Sequence, residues 1–440
     1  METVLVIGAA RSGIAVSKLL LKNGYHVVLT DSNEIKEKAE LQDLGIEVFD
    51  GGHPDCLKDK EYAFIVKNPG IPYRVPFVHY FVEQNAKIYT EIEVAYRFAK
   101  NFNYAAVTGT DGKTTVTTLL YEMLNRQKKS LVAGNIGTPL CELVLEHTDA
   151  DYNVALELSN FQLLGIETFR PHVSTVTNLA PDHLDYMDSL EAYYQSKMRI
   201  YENTNADDYF IRNVDDENVV KYAQNIPCQV IDFSLKRKDV DLYKDDKYAY
   251  YKDTQLFTLS DLKIVGEFNC GNAMMASCMA YLMGVSLFNI QEVIREFSGV
   301  EHRIEYVDTI DNVRFYNDSK ATNTHAACAG LSAFEKNVIL LCGGKDKHIS
   351  FDDLKQYDAV VKKCISFGQT KDKFKDIFTN QISVETMKDA FEKAVLSAKP
   401  GDIVLLCPAC SSFDQFKNYE IRGEIFKQMV HDYASKRNEE

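Results

Sequence analysis

Residues 105–124 read AAVTGTDGKTTVTTLLYEML: a short apolar strand pattern, a loop with two glycines and a helical pattern. The Gly-Lys-Thr sequence that begins at Gly112 matches the second half of a phosphate-binding P-loop, but Val107 stands where the first glycine of that motif is usual. Gly109, two residues later, can supply the same close backbone approach. Backbone N–H groups and a helix N-terminus would then face one anion, with Lys113 against the β- and γ-phosphates. The stretch therefore predicts a nucleotide site in an α/β domain.

Side chains that could hold a Mg²⁺ ion on those phosphates follow the loop and the next strand patterns. The Thr114 or Thr115 hydroxyl is suited to this role at the start of the helix. Glu157 ends the apolar run in NVALELSNFQ, where a metal-binding acid is common, although a solvent-facing acid at a strand end would look the same. A further polar group follows the strand pattern in VSTVTNLAP and comprises Asp182, His183 and Asp185.

The N-terminal turn GAARSG, residues 8–13, suggests a second nucleotide site. It follows the strand pattern TVLVI and precedes a helical pattern, and its spacing resembles G-x-G-x-x-G. Asp31, at the end of the next strand pattern, is near the distance expected for a ribose-binding acid. Ala10 replaces the middle glycine, which weakens an NAD site but leaves a dehydrogenase open as an alternative. The diphosphate of another nucleotide could use the same helix N-terminus, with Arg11 and Ser12 nearby.

The composition is that of a multidomain globular protein. A chain of 440 residues is too long for one core, and 45% hydrophobic and 26% charged residues are ordinary proportions. The net charge of −15 argues against a general binder of nucleic acid or anionic membranes, and no apolar run approaches the roughly 20 residues of a membrane helix. The ten scattered cysteines indicate reduced thiols in the cytoplasm, and the C-x-x-C of Cys407 and Cys410 is interpreted as two buried small residues.

Short β-branched runs alternate with helical patterns along the chain, which predicts parallel α/β architecture. Boundaries near IYTEIEVAYRF and FSGVEHR divide the chain into domains of residues 1–92, 93–298 and 299–440. We expect a Rossmann-like N-terminal domain, a central P-loop-type ATPase domain with a mostly parallel sheet, and a Rossmann-like α/β C-terminal domain. The polar, tyrosine-rich residues 235–261 are expected to form hairpins at a sheet edge.

Cations and hydroxyls follow three strand patterns of the last domain. The segments FYNDSKATNTHA, CGGKDKHIS and CPACSSFDQFKNYEIRG each place such residues where a strand ends. Because the carboxyl ends of parallel strands meet at one edge of a sheet, the three loops together predict a pocket for an anionic ligand. Any one of them alone would be interpreted as an ordinary solvated loop. The residues are Asp318, Ser319, Lys320, Thr322, Asn323, Lys345, Lys347, His348, Ser411, Ser412, Lys417 and Arg422.

Ten motifs, taken in order across nearly the whole chain, resemble those of the Mur ligases of peptidoglycan synthesis. They are TGTDGKTT, GNIGTP, ELSNFQL, NLAPDHLDYM, SKMRIYE, GEFNCGNAMMA, GVEHRIEYV, NDSKATN, LCGGKDK and CPACSSFDQFKNYEIRG. The last four are similar to the branch that adds D-glutamate to UDP-N-acetylmuramoyl-L-alanine. The resemblance implies that the first domain binds the UDP of the muramoyl substrate, the second binds ATP, and the third binds the amino acid and closes over ATP. ATP would phosphorylate the L-alanine carboxylate, and the D-glutamate amine would attack the acyl phosphate through a tetrahedral intermediate.

The resemblance also implies a role for individual residues. ATP would be framed by Gly109, Thr110, Asp111, Gly112, Lys113, Thr114, Thr115, Asn269, Asn272, Arg303, Asp318 and Lys320. The UDP substrate would contact Arg11, Ser12, Asp31, Ser32, Asn68, Gly70 and Asn135. D-Glutamate would contact Thr322, Lys347, Ser412 and Tyr419, with Lys347 as the partner of a carboxylate. Two Mg²⁺ ions would be held by Thr114, Thr115, Glu157, His183 and a carbamate of Lys197, and the implied catalytic residues are Lys113, His183 and Lys197.

Lys197 is the position where the residues alone and the resemblance disagree. A lysine in the helical pattern YYQSKMRIY is most often a solvated ammonium on an apolar stem. The resemblance instead aligns Lys197 with a lysine that binds CO₂ as a carbamate, whose negative charge helps to position the second metal. Three residues depart from the family pattern: Phe268 stands where His is frequent, which puts a contact to adenine in doubt, Tyr419 replaces a common Phe, and Cys407 replaces Ser with no evident consequence.

Other activities remain open alongside the D-glutamate ligase. One is a sibling ligase for another amino acid, or a folylpolyglutamate synthetase, with the same ATP chemistry. The other is the dehydrogenase or binding module that would use the first turn. The motifs NDSKATN and SSFDQFKNYE favour D-glutamate, because a ligase for diaminopimelate or lysine would need a pocket for a second ammonium. We expect a monomer that binds UDP-N-acetylmuramoyl-L-alanine and D-glutamate, without nucleic-acid partners or membrane insertion.

Overall fold

The computed structural model describes residues 1–181, 187, 189–347 and 349–439 and shows an α/β protein with three β-sheets. Most neighbouring strands run parallel, as expected where buried apolar runs alternate with helices, because parallel strands need a long crossover between them. The predicted fold class, α/β in three domains with mostly parallel sheets, is confirmed, and the domain bounds remain a prediction. Among the described helices, none combines the length and the apolar character needed to cross a membrane.

The first sheet is entirely parallel. Its elements are β1 (Thr3–Ile7), α1 (Arg11–Lys22), β2 (His26–Thr30), α2 (Lys38–Asp43), β3 (Glu47–Phe49), β4 (Phe64–Lys67), α3 (Pro76–Glu83), β5 (Ile88–Tyr89) and α4 (Glu91–Phe98). The strand order is β3-β2-β1-β4-β5. The order reverses between β1 and β4, and in such sheets a crevice for ligands forms at the carboxyl ends on either side of the reversal.

The second sheet carries the TGTDGKTT segment that the sequence predicts to bind phosphate, which is called the phosphate loop below. Its strands are β6 (Phe102–Thr108), β7 (Ser130–Gly134), β8 (Tyr152–Glu157), β9 (Val173–Val176), β10 (Tyr209–Asn213), β11 (Gln229–Phe233), β12 (Leu242–Lys244), β13 (Tyr248–Tyr251) and β14 (Thr254–Thr258). Its order is β14-β13-β12-β11-β10-β9-β6-β8-β7. The antiparallel pairing of β12, β13 and β14 at one edge confirms the predicted hairpins. The accompanying helices are α5 (Lys113–Gln127), α6 (Leu140–Glu146), α7 (Asn160–Leu163), α8 (Leu190–Met198), α9 (Glu217–Tyr222), α10 (Glu267–Leu282) and α11 (Leu287–Glu296).

The third sheet has the order β15-β16-β20-β17-β18-β19. Its elements are β15 (Glu305–Ile310), β16 (Val313–Asn317), α12 (Thr324–Leu331), β17 (Val338–Gly343), β18 (Val361–Phe367), β19 (Gln381–Ser383), α13 (Met387–Ser397), β20 (Ile403–Leu406) and α14 (Tyr419–Glu439). Only β15 and β16 pair antiparallel in the described part of this sheet. Cys407 and Cys410 are buried and free after β20, which confirms their interpretation as small core residues.

The described chain forms two compact units. The first contains residues 1–258 and 271–293, and therefore the first and second sheets. The second contains residues 259–270 and 294–440, with the third sheet. Of the residues expected to frame ATP, Asn272 belongs to the first unit and Asn269 to the second.

Candidate active site

The phosphate loop lies at the carboxyl end of the second sheet. β6 pairs with β8 on one side and with β9 on the other, so three parallel strands end beside the loop. The N–H of Leu158 donates to the Val107 carbonyl at 2.8 Å, and the N–H of Thr177 donates to the Thr108 carbonyl at 2.9 Å. The loop that follows β6 is thereby held between the ends of its neighbours. This is the strand–loop–helix arrangement that the sequence predicts.

Both glycines of the loop are required by its geometry. Gly109 has φ of +144°, and a Cβ at this position would collide with the Thr177 hydroxyl oxygen. Gly112 precedes α5 with φ of +80°, and a Cβ there would lie 2.5 Å from Oδ1 of Asn272. Only glycine adopts such backbone conformations without strain, and only glycine leaves room for the neighbouring side chains. Gly109 therefore takes the place of the missing first glycine.

Two residues that the sequence patterns did not single out fix the loop from the end of β9. Oγ1 of Thr177 donates to the Asp111 carbonyl at 2.6 Å. Oδ1 of Asn178 accepts from the N–H of Asp111 at 2.9 Å, and the Asn178 carbonyl accepts from the N–H of Thr110 at 3.0 Å. Both residues follow an apolar run in VSTVTN, so the rule that sites form at strand ends could have found them.

We expect Gly109→Ala to weaken ATP binding at least about tenfold and to lower the free energy of unfolding by about 2 kcal/mol, because the new Cβ strains the loop and displaces Thr177. Gly24→Ala is the matched control: Gly24 also has positive φ, at +84°, but no atom lies within 4 Å of the position that a Cβ would take. This control should lose about 1 kcal/mol of stability and keep its ATP affinity. Calorimetric ATP titration and thermal unfolding measure both quantities, and undiminished ATP affinity in Gly109→Ala would contradict the assignment.

Lys113 and Lys197 converge on one carbonyl of the loop. Nζ of Lys113 donates to the Gly109 carbonyl at 2.9 Å and to that of Thr110 at 2.7 Å. Nζ of Lys197 donates to the same Gly109 carbonyl at 2.7 Å and lies 4.7 Å from the centre of the Tyr193 ring. Lys197 is only 2% exposed, so its interpretation as a solvated lysine is wrong. His183, with Asp182 and Asp185, lies outside the described residues.

Glu157 is buried beside the loop with one carboxylate oxygen unsatisfied. The residue is 1% exposed at the end of β8, paired with Val107 of β6. Its Oε1 accepts from Nδ2 of Asn135 at 2.8 Å, whereas its Oε2 is buried without a hydrogen-bond partner in the described part of the chain. A buried carboxylate oxygen is costly unless something pairs with it, and carboxylates and hydroxyls are the ligands Mg²⁺ prefers. Glu157, with half-buried Thr114 and Thr115 at the start of α5, therefore fits a divalent cation.

Several residues expected to bind the UDP substrate line one cavity of about 390 Å³ in the first unit. Arg11, Ser12, Gly70 and Asn135 are in its wall. Asn68 contacts this wall through Ser12, because its Nδ2 donates to the Ser12 hydroxyl at 3.3 Å. Nη2 of Arg11 lies 3.2 Å from the carboxylate of Glu142. The wall also contains residues that the sequence patterns did not single out, among them Glu91, Ser159 and Gln162.

Asp31 and Ser32 follow β2 outside that cavity wall. Oδ2 of Asp31 accepts from the N–H of Ala9 at 2.7 Å, and Oδ1 accepts from the N–H of Asn33 at 2.8 Å. Burial acts to raise the pKa of Asp31, but these backbone N–H donors hold it below its usual value. The carboxylate therefore stays charged next to the glycine turn that precedes α1. Ser32 is exposed.

In the second unit, three of the residues expected to frame ATP lie close together. Asp318 is 6% exposed, and its carboxylate accepts from the N–H of Ile304 at 3.2 Å, next to Arg303, and from the thiol of Cys407 at 3.4 Å. Burial raises the pKa of Asp318 to about 7. Lys320 follows Asp318 by two residues, and its Nζ lies 5.4 Å from the centre of the Tyr419 ring. Asn269, also of this unit, donates from Nδ2 to the Val265 carbonyl at 2.8 Å.

The residues expected to bind D-glutamate are less clearly gathered. Ser412 is buried, Thr322 and Tyr419 are half-buried, and Lys347 is exposed. The backbones of the three predicted loops do meet. The N–H of Lys345 donates to the Ser411 carbonyl at 2.9 Å, and Arg422 bonds both Ser319 and the Cys410 carbonyl. The grouping of these four side chains around one amino acid therefore stays a prediction.

The side chain of Arg422 connects two loops of the second unit. It is fully buried, and its guanidinium donates to the Ser319 hydroxyl at 2.9 Å, to the Ser319 carbonyl at 2.7 Å and to the Cys410 carbonyl at 3.0 Å. Burial lowers the pKa of Arg422 to about 10. The hydroxyl of Ser319 in turn donates to the Tyr419 carbonyl at 2.8 Å. These bonds tie the loop after β16 to the loop after β20.

Two family models match the chain. The model described as Mur ligase middle domain matches residues 107–280, which include the phosphate loop, Glu157 and Lys197. The model described as Mur ligase, glutamate ligase domain matches residues 302–410, which include Asp318 and Lys320. The matches therefore fall on the second and third sheets, where most of the site residues lie.

Curated relatives extend the similarity to the full length. A protein from Geobacillus sp. (strain WCH70) is 44% identical over 440 residues, which cover 97% of this chain and 97% of the relative. A protein from Bacillus cereus (strain G9842) is 41% identical over 443 residues, with 98% and 97% covered. Both relatives are named UDP-N-acetylmuramoylalanine–D-glutamate ligase.

Solved structures agree in fold. A MurF ligase from Thermotoga maritima, in complex with ADP, has a TM-score of 0.58 at 16% identity and covers 94% of this chain and 96% of its own. UDP-N-acetylmuramate-alanine ligase MurC from Thermotoga maritima has a TM-score of 0.56 at 19% identity, with 98% and 100% covered. At such identities the structures support the fold alone. Because the curated relatives are far more similar and span almost the whole chain, the chain belongs to the Mur ligase family.

Proposed function

We propose that the protein is an ATP-dependent ligase that joins D-glutamate to UDP-N-acetylmuramoyl-L-alanine. The observation that carries the proposal is the buried Glu157 carboxylate beside a complete phosphate loop, in a chain that is 44% identical over its length to a relative named for this reaction. A phosphate loop with a metal-binding acid serves phosphoryl transfer. Ala10 stands where a dinucleotide-binding turn needs its middle glycine, which disfavours the dehydrogenase.

The proposed reaction solves a problem of leaving groups. A carboxylate does not condense with an amine in water, because its oxygen is a poor leaving group. The terminal phosphoryl group of ATP is transferred to the L-alanine carboxylate, which gives ADP and an acyl phosphate. The neutral amine of D-glutamate attacks the acyl carbon, and the tetrahedral intermediate expels phosphate as the amide forms and the amine loses its proton. Excluding water protects the acyl phosphate from hydrolysis.

The phosphate loop supplies electrostatic stabilisation for the transfer. The N-terminus of α5, after Gly112, would face the phosphates, because the N–H groups of Thr110 and Asp111 are already taken up by Asn178. The Lys113 ammonium, already at the loop, would neutralise charge on the transferred group. A Mg²⁺ ion held by Glu157 and by Thr114 or Thr115 would supply further charge neutralisation on the ATP phosphates.

A second Mg²⁺ ion is proposed at His183 and at a carbamate formed by CO₂ on Lys197. The burial of Lys197 and its 2.7 Å hydrogen bond to the Gly109 carbonyl support this, because they bring the lysine amine to the loop that binds the transferred phosphate. A carbamate would turn this position from a cation into an anion. An anion next to the loop suits a metal, whereas a second ammonium beside Lys113 would only add positive charge.

The substrates are proposed to bind on both units. The cavity lined by Arg11, Ser12, Gly70 and Asn135 would take the UDP substrate, since it offers a cation and polar groups at the carboxyl end of the first sheet. D-Glutamate would bind at Thr322, Lys347, Ser412 and Tyr419, where the Lys347 ammonium would pair with a carboxylate. We further propose that the protein acts as a monomer in the cytoplasm, where its ten free cysteines would stay reduced.

The test is an amino-acid panel with phosphate release as the readout. We expect ATP-dependent phosphate release with UDP-N-acetylmuramoyl-L-alanine plus D-glutamate, and none when ATP, Mg²⁺ or either substrate is omitted. The panel compares D-glutamate with three other amino acids. L-Glutamate differs from it only in configuration, whereas L-lysine and meso-diaminopimelate carry a second ammonium. Equal turnover with lysine or diaminopimelate would identify a sibling ligase instead, and turnover of a folate substrate would identify a folylpolyglutamate synthetase.

A further inference from the structure

Lys67, the last residue of β4, is a buried lysine that the proposed reaction does not use. Its side chain has no exposed surface, and Nζ donates to the carbonyls of Asn68 at 3.1 Å and Ile71 at 2.7 Å. The ring of Tyr73 covers the ammonium, with 4.6 Å from Nζ to the ring centre. Burial lowers the pKa of Lys67 to about 8. Taking an ammonium out of water is costly, so a lysine here is a poor choice for packing alone.

The bonds of Lys67 fix one turn. Residues 68–71 form a β-turn in which the N–H of Ile71 donates to the Asn68 carbonyl at 3.0 Å. Both carbonyls that bind Lys67 belong to peptide bonds preceding proline, at Pro69 and Pro72, so their peptide groups carry no N–H. The ammonium thus draws two strong acceptors inward at both ends of the turn.

The outer side of this turn faces the candidate substrate cavity. Pro69 and Gly70 line that cavity with Arg11 and Ser12. Oδ1 of Asn68 accepts from the N–H of Gly70 at 3.0 Å, and its Nδ2 donates to the Ser12 hydroxyl at 3.3 Å. The turn therefore joins β4 to the start of α1 across the point where the order of the first sheet reverses.

We propose that Lys67 is a positioning residue for the nucleotide diphosphate end of the muramoyl substrate. It holds the 68–71 turn against the glycine turn at the start of α1. It also places a positive charge behind the cavity wall that a diphosphate would face. This inference rests on the proposed function for the identity of the substrate, and it adds a residue that does not line the cavity. Salt and water screen a buried charge less than they screen an exposed one, so the Lys67 ammonium can act on an anion in the cavity.

Lys67→Met tests the proposal, because Met keeps the length and the packing but removes the charge and the donor. We expect the Kd for UDP, measured by titration calorimetry, and the KM for UDP-N-acetylmuramoyl-L-alanine to rise about tenfold. The KM values for ATP and D-glutamate and the kcat should change less than about twofold, because the phosphate loop is untouched. Lys38→Met is the matched control: Lys38 begins α2 beside the same sheet but pairs with Asp50 at 2.6 Å, away from the cavity wall, and its substrate affinities should be unchanged.

A second variant keeps the test decisive if Lys67→Met fails to fold. Tyr73→Leu removes the ring over the ammonium while leaving an apolar side chain against the same core, and it should raise the Kd for UDP about two- to threefold. A lowered melting temperature with an unchanged Kd for UDP, in either folded variant, would show a purely structural role and overturn the proposal. UDP binding is measured without turnover, so its result is independent of the amino-acid panel. If the panel shows turnover with an amino acid other than D-glutamate, the proposed function is refuted, but the comparison of UDP affinities between Lys67→Met and its parent remains valid. Failure of the parent protein to bind UDP would overturn the proposal for Lys67, whereas the proposed function would still be decided by phosphate release in the panel.

Discussion

Glu157→Gln is expected to reduce ligase turnover at least about a hundredfold while leaving the protein folded and at least as heat-stable as its parent. The loss is expected because the proposed Mg²⁺ ligand would become a neutral amide, which binds Mg²⁺ more weakly than a carboxylate does. The preserved or increased stability follows because Glu157 is buried with Oε2 unsatisfied, and burying a neutral amide costs less free energy than burying a carboxylate. Steady-state phosphate release and thermal unfolding without ligand measure the two effects.

The metal dependence separates this explanation from general damage. Mg²⁺ with ATP should raise the melting temperature of the parent and should raise that of Glu157→Gln much less, because ligand binding stabilises only where the affinity is retained. Glu146→Gln is the matched control, since Glu146 is an exposed acid on α6 in the same unit, and it should behave like the parent. A Glu157→Gln variant with parental turnover, or one that simply unfolds, would contradict the assignment of Glu157 as a metal ligand.

Lys197→Ala is expected to reduce turnover about a hundred- to a thousandfold while ATP binding survives. Removing the amine removes the proposed site of carbamate formation and with it the proposed second metal position. ATP should still bind, because Lys113 and the loop N–H groups remain and Lys113 keeps its own bonds to the loop. Turnover by phosphate release and ATP affinity by calorimetry are the measurements.

The comparison variant for this experiment is Lys221→Ala, which removes an exposed lysine of α9 in the same unit and should leave both quantities unchanged. Added bicarbonate should leave Lys197→Ala inactive. The parent protein should lose turnover when CO₂ is removed and regain it when bicarbonate is added back. Wild-type turnover in Lys197→Ala would refute the carbamate. Loss of ATP binding in parallel with turnover would show that Lys197 only supports the loop, as its bond to the Gly109 carbonyl alone would allow.

Several features of the site could be predicted from the sequence because they are local. An apolar run, two glycines and a helical pattern in residues 105–124 indicate strand, loop and helix, and the structure confirms each of them. The edge hairpins of 235–261 and the burial of Cys407 and Cys410 were predictable for the same reason. Motif order identified the family, and the roles of Lys347 and its neighbours at the amino-acid pocket stay predictions.

The contacts between distant residues were not predictable in this way. Spacing alone makes Lys197 look solvated, yet its amine meets a carbonyl 88 residues away, because α8 packs beside the end of β6. Thr177 and Asn178 become loop supports only once β9 pairs with β6. Lys67 looks like an ordinary polar strand end until the 68–71 turn folds back over it.

The sequence by itself determined that this protein is an α/β protein with a phosphate loop, because periodicity and turn residues are properties of neighbouring positions. The order of its motifs along the chain added the resemblance to the Mur ligases. Only the tertiary structure decided which charges are buried. Sheet order brings the ends of β6, β8 and β9 together, where an oxygen of Glu157 is left unsatisfied. The packing of α8 beside the loop that follows β6 takes Lys197 out of water. The free energy of a charge depends on its surroundings in space, and those are set by strands far apart in the chain.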